Sequence, residues 1–411
     1  MKKFLLSVAF CALVFSSFAQ NEGRGRKGNY LPKISPAEAG LDPGRLTRAD
    51  EVINEAIADK TIPGAVLAVV RDGRIAYLKA YGYKSVYPEK EKMTVNTVFD
   101  LASCSKVVGT TMSFMKLVEG GYVRLNDKVN RYLPDFQPYV DPDTGEKTDP
   151  KIIDLLTHTS GLPPYVNPGY LKKEYGAANP QTLLKYISTC KRVYKPRSKF
   201  VYSCLNFISL GYILEKVTGE KLCDYAQMNV FDYLGMKYTT YSPMAQHKTA
   251  IMKLVAPTEK QPDGSVLRGV VHDPLARIAN NGDSGNAGVF SNAEDLSILA
   301  AALMNGGEIN GRHVLGEMTV KAMFTVPEET SGLGRALGWD CNSDYSSNKG
   351  DLFSPGSTFC HTGYTGTSIV IDVKSKTAVI LLAHRVHPVD KGSVVRLRAL
   401  VANIVAGSII R

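Results

Sequence analysis

Ser-x-x-Lys pairs recur in this sequence, among them Ser103/Lys106, Ser188/Lys191 and Ser346/Lys349. Residues three apart share one face of a helix, so in each pair the amine can reach the hydroxyl. A serine hydroxyl is a poor nucleophile until a base takes its proton, and a lysine that loses proton affinity on burial can be that base. The spacing alone is a weak signal, as its recurrence shows. Context separates the copies. Only the first opens a long apolar helix: Val98-Phe99-Asp100-Leu101-Ala102 leads into Ser103, and Val107 to Val118 follows. A helix start also offers free N–H groups and partial positive charge, which suit a developing oxyanion. Ser188/Lys191 and Ser346/Lys349 sit in polar, loop-like sequence.

Other reactive residue types are scattered. Beyond the first 19 residues the cysteines are Cys104, Cys190, Cys204, Cys223, Cys341 and Cys360, with no CxxC pair, so a structural zinc site has little support. Cys341 and Cys360 flank one Gly/Ser-rich segment and are the pair expected to be bridged. Cys104 and Cys360 read as space-fillers. His384 and His387, three apart near a strand end, do not make a metal site by themselves. His158 lies in a Thr/Ser/Gly turn and reads as structural. Tyr364 and Trp339 fit the cleft or the core equally well.

The elements that must position Ser103 come from both ends of the chain. Arg45 to Lys60 has helical periodicity after Pro43-Gly44. Ala65 to Val70 is a β-branched apolar run, and Asp72-Gly73 is a hairpin signal before Arg74 to Tyr83. The middle reads as helices over Val107 to Glu119, Pro180 to Tyr186, Asn206 to Val217 and Ala293 to Met304. Strands return at Ser368 to Val373 and Ala378 to Ala383, and a helix from about Ser393 to Val405 closes the chain. Strands at both ends around a helical middle predict one sheet built from distant segments, with helices on its faces and a helical lobe beside it. The cleft would lie between them.

Two further segments sharpen the reading. Phe200-Val201-Tyr202-Ser203-Cys204-Leu205-Asn206 precedes an apolar helix, and Phe359-Cys360-His361-Thr362-Gly363-Tyr364-Thr365-Gly366-Thr367 precedes an apolar strand. With Leu155-Leu156-Thr157-His158-Thr159-Ser160-Gly161-Leu162-Pro163, Val271-His272-Asp273 and Ala287-Gly288-Val289-Phe290-Ser291, they stand in an order that resembles one family. It is the class C β-lactamase and penicillin-binding-protein-like serine hydrolases, which also include carboxylesterases and D-aminopeptidases. The resemblance spans roughly residues 37–411. It implies an α/β (α+β) β-lactamase/transpeptidase-like fold, with an antiparallel sheet flanked by helices plus a helical lobe. The expected organisation is one hydrolase domain over 37–411, its α/β lobe at about 37–100 and 285–411 and its helical lobe at about 101–284.

By position, the resemblance makes Ser103 the acylated nucleophile, Lys106 its base and Tyr202 the proton shuttle to leaving group and water. His361, Thr362 and Gly363 become the third motif, on the strand edging the cleft. The backbone N–H groups of Ser103 and Tyr364 become the oxyanion hole. No metal or organic cofactor is implied. Three positions depart from the family. His361 stands where β-lactamases of this class carry lysine, and histidine is mostly neutral near pH 7, so strict recognition of a substrate carboxylate is weakened. Cys204 stands where Asn or Asp is usual, and a thiol is a weak hydrogen-bonding group. Asn206, two residues on, faces elsewhere and does not replace it. Arg197 follows Pro196 where Gly is frequent. Glu174 and Asn179 are spaced one residue too far apart for the deacylating Glu…Asn element of class A β-lactamases.

Composition sets the outer limits. The 411 residues are 44% hydrophobic and 21% charged, which excludes a mainly disordered or fibrous chain. No apolar run reaches the ~20 residues that span a bilayer. Lys2 and Lys3, the apolar Phe4 to Phe18, and small Ser17 and Ala19 read as an export signal cleaved near Ala19. A basic Gly-rich lead-in at 20–36 follows. The formal charge is +10, and removing Lys2 and Lys3 leaves +8. The one tight basic cluster, Arg24, Arg26 and Lys27, lies in that lead-in, so nucleic-acid binding is not indicated. The expectation is an exported serine hydrolase acting on small esters, amides or short peptides, cell-wall fragments included. The alternatives are a true β-lactamase or DD-peptidase, and a non-catalytic binding protein with a degenerate site.

Overall fold

A computed structural model of the chain describes residues 30–410. The expected export signal and the basic cluster of the lead-in lie outside them. The strands used below are β1 (Gly64–Arg71), β2 (Arg74–Ser85), β3 (Glu91–Lys92), β4 (Phe99–Asp100), β5 (Thr240–Tyr241), β6 (Val289–Ser291), β7 (Thr358–Thr362), β8 (Ser368–Asp372) and β9 (Thr377–Ala383). The main helices are α1 (Pro43–Ala58), α2 (Met112–Glu119), α3 (Cys204–Thr218), α4 (Ala293–Met304) and α5 (Val395–Ser408).

Six strands form one sheet in the order β7-β8-β9-β1-β2-β3, every neighbour antiparallel. The two ends of the chain therefore meet at its centre, where β1 pairs with β9 from Ala65↔Ala383 to Arg71↔Thr377. The β1–β2 turn has Asp72 at φ 47° and Gly73 at φ 71°, which is the backbone a two-residue hairpin loop requires. β1 is apolar at nearly every position because both of its faces are covered. Val66, Ala68 and Val70 join one core cluster, and Ala65, Leu67 and Val69 join another, following the period of two.

α1 and α5 cover the second of these faces. α1 starts where the Asp42 carboxylate accepts from the N–H groups of Gly44 and Arg45, with Pro43 at the first helical position. It buries Leu46, Ala49, Val52 and Ile53 at helical spacing. α4 lies on the other face, capped by Asn292 Oδ1 accepting from the Asp295 N–H, with Leu296, Leu299 and Leu303 inward. The helical middle continues that same core through α2 and α3. A second, three-stranded sheet in the order β4-β6-β5 joins the middle of the chain to the nucleophile segment. Among the described residues, no helix is long and apolar enough to cross a membrane.

Two expectations need correction. The helix expected over Val107 to Glu119 opens as a π-turn, Lys106–Thr111, before α2 begins. Cys341 and Cys360 are free thiols rather than a disulfide. Backbone pairing between Asp340 and Cys360 brings the segments together, but the two side chains belong to different core clusters. The Cys341 thiol donates instead to the Pro355 carbonyl.

Candidate functional site

β4 ends at Asp100, and the next three residues turn sharply to present Ser103. Asp100 is fully buried. One carboxylate oxygen accepts from the Ala102 N–H at 2.8 Å and the other from the His272 N–H at 2.7 Å. Ala102 has φ 46°, a left-handed backbone that costs a residue with a Cβ roughly 1–2 kcal/mol. The surrounding hydrogen bonds hold it there. Ser103 then lies in a short 3₁₀ turn, Ala102–Cys104, that runs into the π-turn. Such wide turns are frequent at functional sites.

Lys106 is completely buried. Its ammonium donates to Ser103 Oγ at 3.0 Å, to the Asn286 carbonyl at 3.0 Å and to Cys204 Sγ at 3.8 Å. The expectation that burial would strip its proton affinity is not met. Burial does oppose the charge, but the Cys204 thiol and the Tyr202 phenol beside it outweigh burial and hold Lys106 above the ordinary lysine value. At rest it is a cation.

Tyr202 lies on the segment entering α3, and the His158–Pro164 turn pins that segment. The Val201 N–H donates to the His158 carbonyl, the Ser203 N–H to His158 Nδ1 at 3.2 Å, and Ser203 Oγ to the Pro163 carbonyl at 2.6 Å. Lys106 Nζ is 5.0 Å from the centre of the Tyr202 ring. Burial raises the phenol above its ordinary value and Lys106 pulls it back, and hydrogen bonding to Ser103 and Lys106 acts in the same lowering sense. Cys204, the first residue of α3, points its sulfur at Lys106, while Asn206 turns away to Ser160 and His158.

The third motif closes the opposite side. β7 ends at Thr362, and Gly363 to Thr367 turn back into β8, with the Gly363 N–H donating to the Thr367 carbonyl at 2.8 Å. Thr367 Oγ1 donates to the Leu101 carbonyl and Thr365 Oγ1 to the Asp100 carbonyl, so this turn is tied to the nucleophile segment. Arg398 of α5 donates to the Gly363 and Thr367 carbonyls at 2.7 and 2.9 Å. His361 is buried, with Nδ1 bonded to the Thr362 carbonyl, and burial drives its basicity well below that of a free imidazole. A buried imidazole of such low basicity is a neutral group near pH 7. Tyr364 is largely exposed and its hydroxyl donates to Asp390 at 2.7 Å.

Ser103 and Tyr202 stand at the junction of two cavities. One, about 340 Å³, is also lined by His361, Thr362, Asn348 and Arg398. The other, about 420 Å³, is lined by Cys204, Tyr165, Glu259 and Asp273. Tyr364 lines both. The structure thus brings Ser103, Tyr202, the third motif and Tyr364 to one cleft, with Lys106 buried against Ser103. Sequence reasoning missed Asp100, Asn286 and the Arg335–Asp340 ion pair, which is 3.1 Å long and buried beside the first cavity. Asp100 had a signal, since it sits three residues before the nucleophile. The others had none. Trp339 is wholly buried and belongs to the core.

His384 and His387 stack at 5.6 Å; His384 Nε2 meets the Lys84 carbonyl, and the His387 nitrogens meet the Thr258 carbonyl and the Val86 N–H. Arg197 has φ 69°, the left-handed backbone that explains why glycine is frequent there. Its guanidinium is engaged by the buried Asp154.

A model of the family described as Beta-lactamase matches residues 49–403. An N-acetylmuramyl-L-alanine amidase of Bacillus subtilis (strain 168) is 34% identical, across 94% of this chain and 92% of the relative. Among solved structures, EstCE1, a hydrolase with promiscuous acyltransferase activity, superposes with a TM-score of 0.68 at 23% identity, covering 89% of this chain and 99% of its own. The octameric penicillin-binding protein homologue from Pyrococcus abyssi gives 0.67 at 22% identity, covering 88% and 78%. With its motifs gathered in one cleft and its length matched almost throughout, the chain belongs to the beta-lactamase family of serine hydrolases.

Proposed function

We propose that the protein is an exported hydrolase that cleaves esters or amides of modest size through an acyl-enzyme on Ser103. The observation that carries this reading is the 3.0 Å contact of Lys106 Nζ with Ser103 Oγ beside the Tyr202 phenol, at the meeting point of two open cavities. In the first step Ser103 Oγ bonds to the substrate carbonyl carbon and its proton passes to the Lys106–Tyr202 pair. The bond from that carbon to the leaving oxygen or nitrogen then breaks, and the leaving group takes the proton. Water repeats the sequence and releases the acid. The N–H groups of Ser103 and Tyr364 hold the oxyanion. His361, Thr362 and Gly363, at the end of β7, edge the cleft.

Lys106 is a cation and Tyr202 a neutral phenol at rest, so the reactive form is the site short of one proton, and turnover should rise with pH. The neutral His361 favours hydrolysis without strict carboxylate recognition over β-lactam turnover. Cell-wall peptides are the second reading, favoured by the amidase relative.

The test is labelling with a fluorophosphonate followed by peptide mapping, alongside Ser103→Ala. The label is expected on Ser103, and the variant should fold normally yet lose about 10⁴-fold or more of its p-nitrophenyl ester turnover. An unlabelled protein would instead support the binding-module alternative. Rapid turnover of a chromogenic cephalosporin with no ester hydrolysis would make it a β-lactamase.

A further inference from the structure

Tyr202 is held between two rings that the acyl-enzyme scheme does not use. From the interior comes His158, fully buried, 4.5 Å from the Tyr202 ring centre and tilted by 34°. From the cleft comes Tyr345, 58% exposed, stacked on Tyr202 at 5.6 Å and 27°. Phe200 braces the arrangement, edge-on to Tyr345 at 5.6 Å and to His158 at 6.2 Å.

The hydrogen-bond pattern fixes the state of His158. Its Nδ1 accepts from the Ser203 N–H at 3.2 Å and lies 3.1 Å from the Asn206 amide nitrogen, so Nδ1 carries no hydrogen. Burial, together with the Arg335 and Lys106 cations, keeps the ring neutral. The hydrogen therefore sits on Nε2, which is buried and has no hydrogen-bond acceptor. The nearest rings are those of Tyr202 and, at 5.0 Å, Phe207. A buried N–H dipole with no acceptor, on a ring packed against Tyr202 and Phe207, favours negative charge on a neighbouring ring that can take it, and of those two only the phenol can. Tyr345 acts differently. It covers the ring on the solvent side and keeps water from it, which disfavours the anion.

We propose that His158 and Tyr345 are opposed positioning residues for Tyr202, the imidazole favouring its anionic form from the interior and the outer tyrosine covering it at the mouth. This rests on Tyr202 being the proton shuttle. The other titratable and charged groups facing that phenol are Lys106, Ser103 and Cys204 on the nucleophile side, and His361, 6.2 Å away, on β7. Arg335 stands behind Phe200 at 5.2 Å. His158→Phe also removes the acceptor of the Ser203 N–H, so its effect is read against that of Tyr345, which lies on a separate segment.

The experiment is the pH profile of kcat/KM for p-nitrophenyl butyrate in the full-length protein, with His158→Phe, Tyr345→Ala and Tyr345→Phe. In His158→Phe, checked for folding by circular dichroism, the rising limb should move about one pH unit up and kcat should fall about tenfold, with KM within about twofold. In Tyr345→Ala the limb should move down, and Tyr345→Phe, which keeps the ring, should restore the wild-type profile. Opposite shifts are the signature, since a merely structural role would lower activity without moving the limb in two directions. The proposal fails if the limbs stay in place or move together. Should His158→Phe not fold, identical limbs in Tyr345→Ala and Tyr345→Phe overturn it. Fluorophosphonate mapping of the same samples separates the causes: Ser103 labelled with unmoved limbs sinks this proposal alone, whereas an unlabelled Ser103 sinks the acyl-enzyme reading beneath it.

Discussion

On the Ser103 side of the cleft, backbone meets backbone. A Cβ on Gly363 would stand 2.3 Å from the Leu101 carbonyl oxygen and 2.2 Å from Thr367 Oγ1. Asp100 spends both carboxylate oxygens on N–H groups, and Arg398 clamps two carbonyls of the third-motif turn. The Tyr202 side has backbone bonds too, Val201 N–H to the His158 carbonyl and Cys204 N–H to the Pro164 carbonyl, but the groups nearest the phenol and Lys106 there are side chains: the rings of His158 and Tyr345 and the Cys204 thiol, with the Arg197–Asp154 pair behind. Where main chains touch, only one residue type fits. Where side chains touch, another can be accommodated if a partner moves with it. This explains why two of the three departures from the family pattern, Arg197 and Cys204, lie on the Tyr202 side.

The sharpest way to break this contrast is Gly363→Ala. Neither the Leu101 carbonyl nor Thr367 can retreat without dragging the nucleophile segment. The expected outcome is a loss of about 3 kcal/mol in urea unfolding and about 100-fold in ester turnover. An unchanged urea midpoint would mean that the Ser103 wall is as pliable as its counterpart.

Arg197→Gly should show a smaller effect with an instructive sign. Glycine relieves about 1 kcal/mol of left-handed strain. The substitution also strips Asp154, a buried carboxylate, of its charged partner, which costs about 3 kcal/mol or more. A net loss of about 2 kcal/mol follows, and Asp154→Asn in the same chain should recover most of it. If Arg197→Gly alone stabilises the protein, the ion pair is not what tolerates arginine at φ 69°.

Cys204→Asn tests the thiol. Cys204 is the foremost group raising the proton affinity of Lys106, so an amide that cannot ionise should let Lys106 lose its proton at lower pH. The rising limb of the activity profile should move down, and turnover at pH 7 should increase by about threefold as an amide hydrogen bond replaces a weak thiol contact. A limb that moves up would show that sulfur does not set the charge on Lys106.

Much of this arrangement was legible beforehand, for physical reasons. The β1 run is apolar on both faces and the Asp72-Gly73 turn is local, so the hairpin announced itself, and the Ser103–Lys106 spacing needs only one helical turn. What stayed hidden depends on contacts remote in sequence. The left-handed Ala102 is imposed by Asp100 and has no residue signature. The proton affinity of Lys106 is set by its burial against Cys204, which is 98 positions away, and Tyr202. His158 was read as a turn residue, which it is, but its contact with Tyr202 exists only once the His158 turn and the start of α3 have met. The Cys341–Cys360 pairing failed because proximity along a loop says nothing about which side of the sheet each side chain faces.

The walls also differ in what acid should do to them, and this gives the smallest predicted effect. Behind the Ser103 wall, His384 packs edge-on to Phe99 at 5.7 Å and bonds the Lys84 carbonyl at 2.8 Å. Burial, reinforced by His387, holds it down at about 3, against 6.5 for a free histidine. Between those values the unfolded chain binds the proton and the folded chain does not. His384 therefore contributes stability that is fully present above pH 6.5 and is lost as pH falls towards about 3. The thermal midpoint should decline by a few degrees from pH 7 to pH 5, and His384→Asn should start lower but decline about 2 °C less over the same interval. His158, also held neutral by burial, adds its own decline behind the Tyr202 wall, and His158→Phe should flatten the curve likewise while also moving the activity limb. His384→Asn should leave that limb in place, because its imidazole touches the back of the wall and not the phenol. A moved limb in His384→Asn would show that the two walls titrate as one unit.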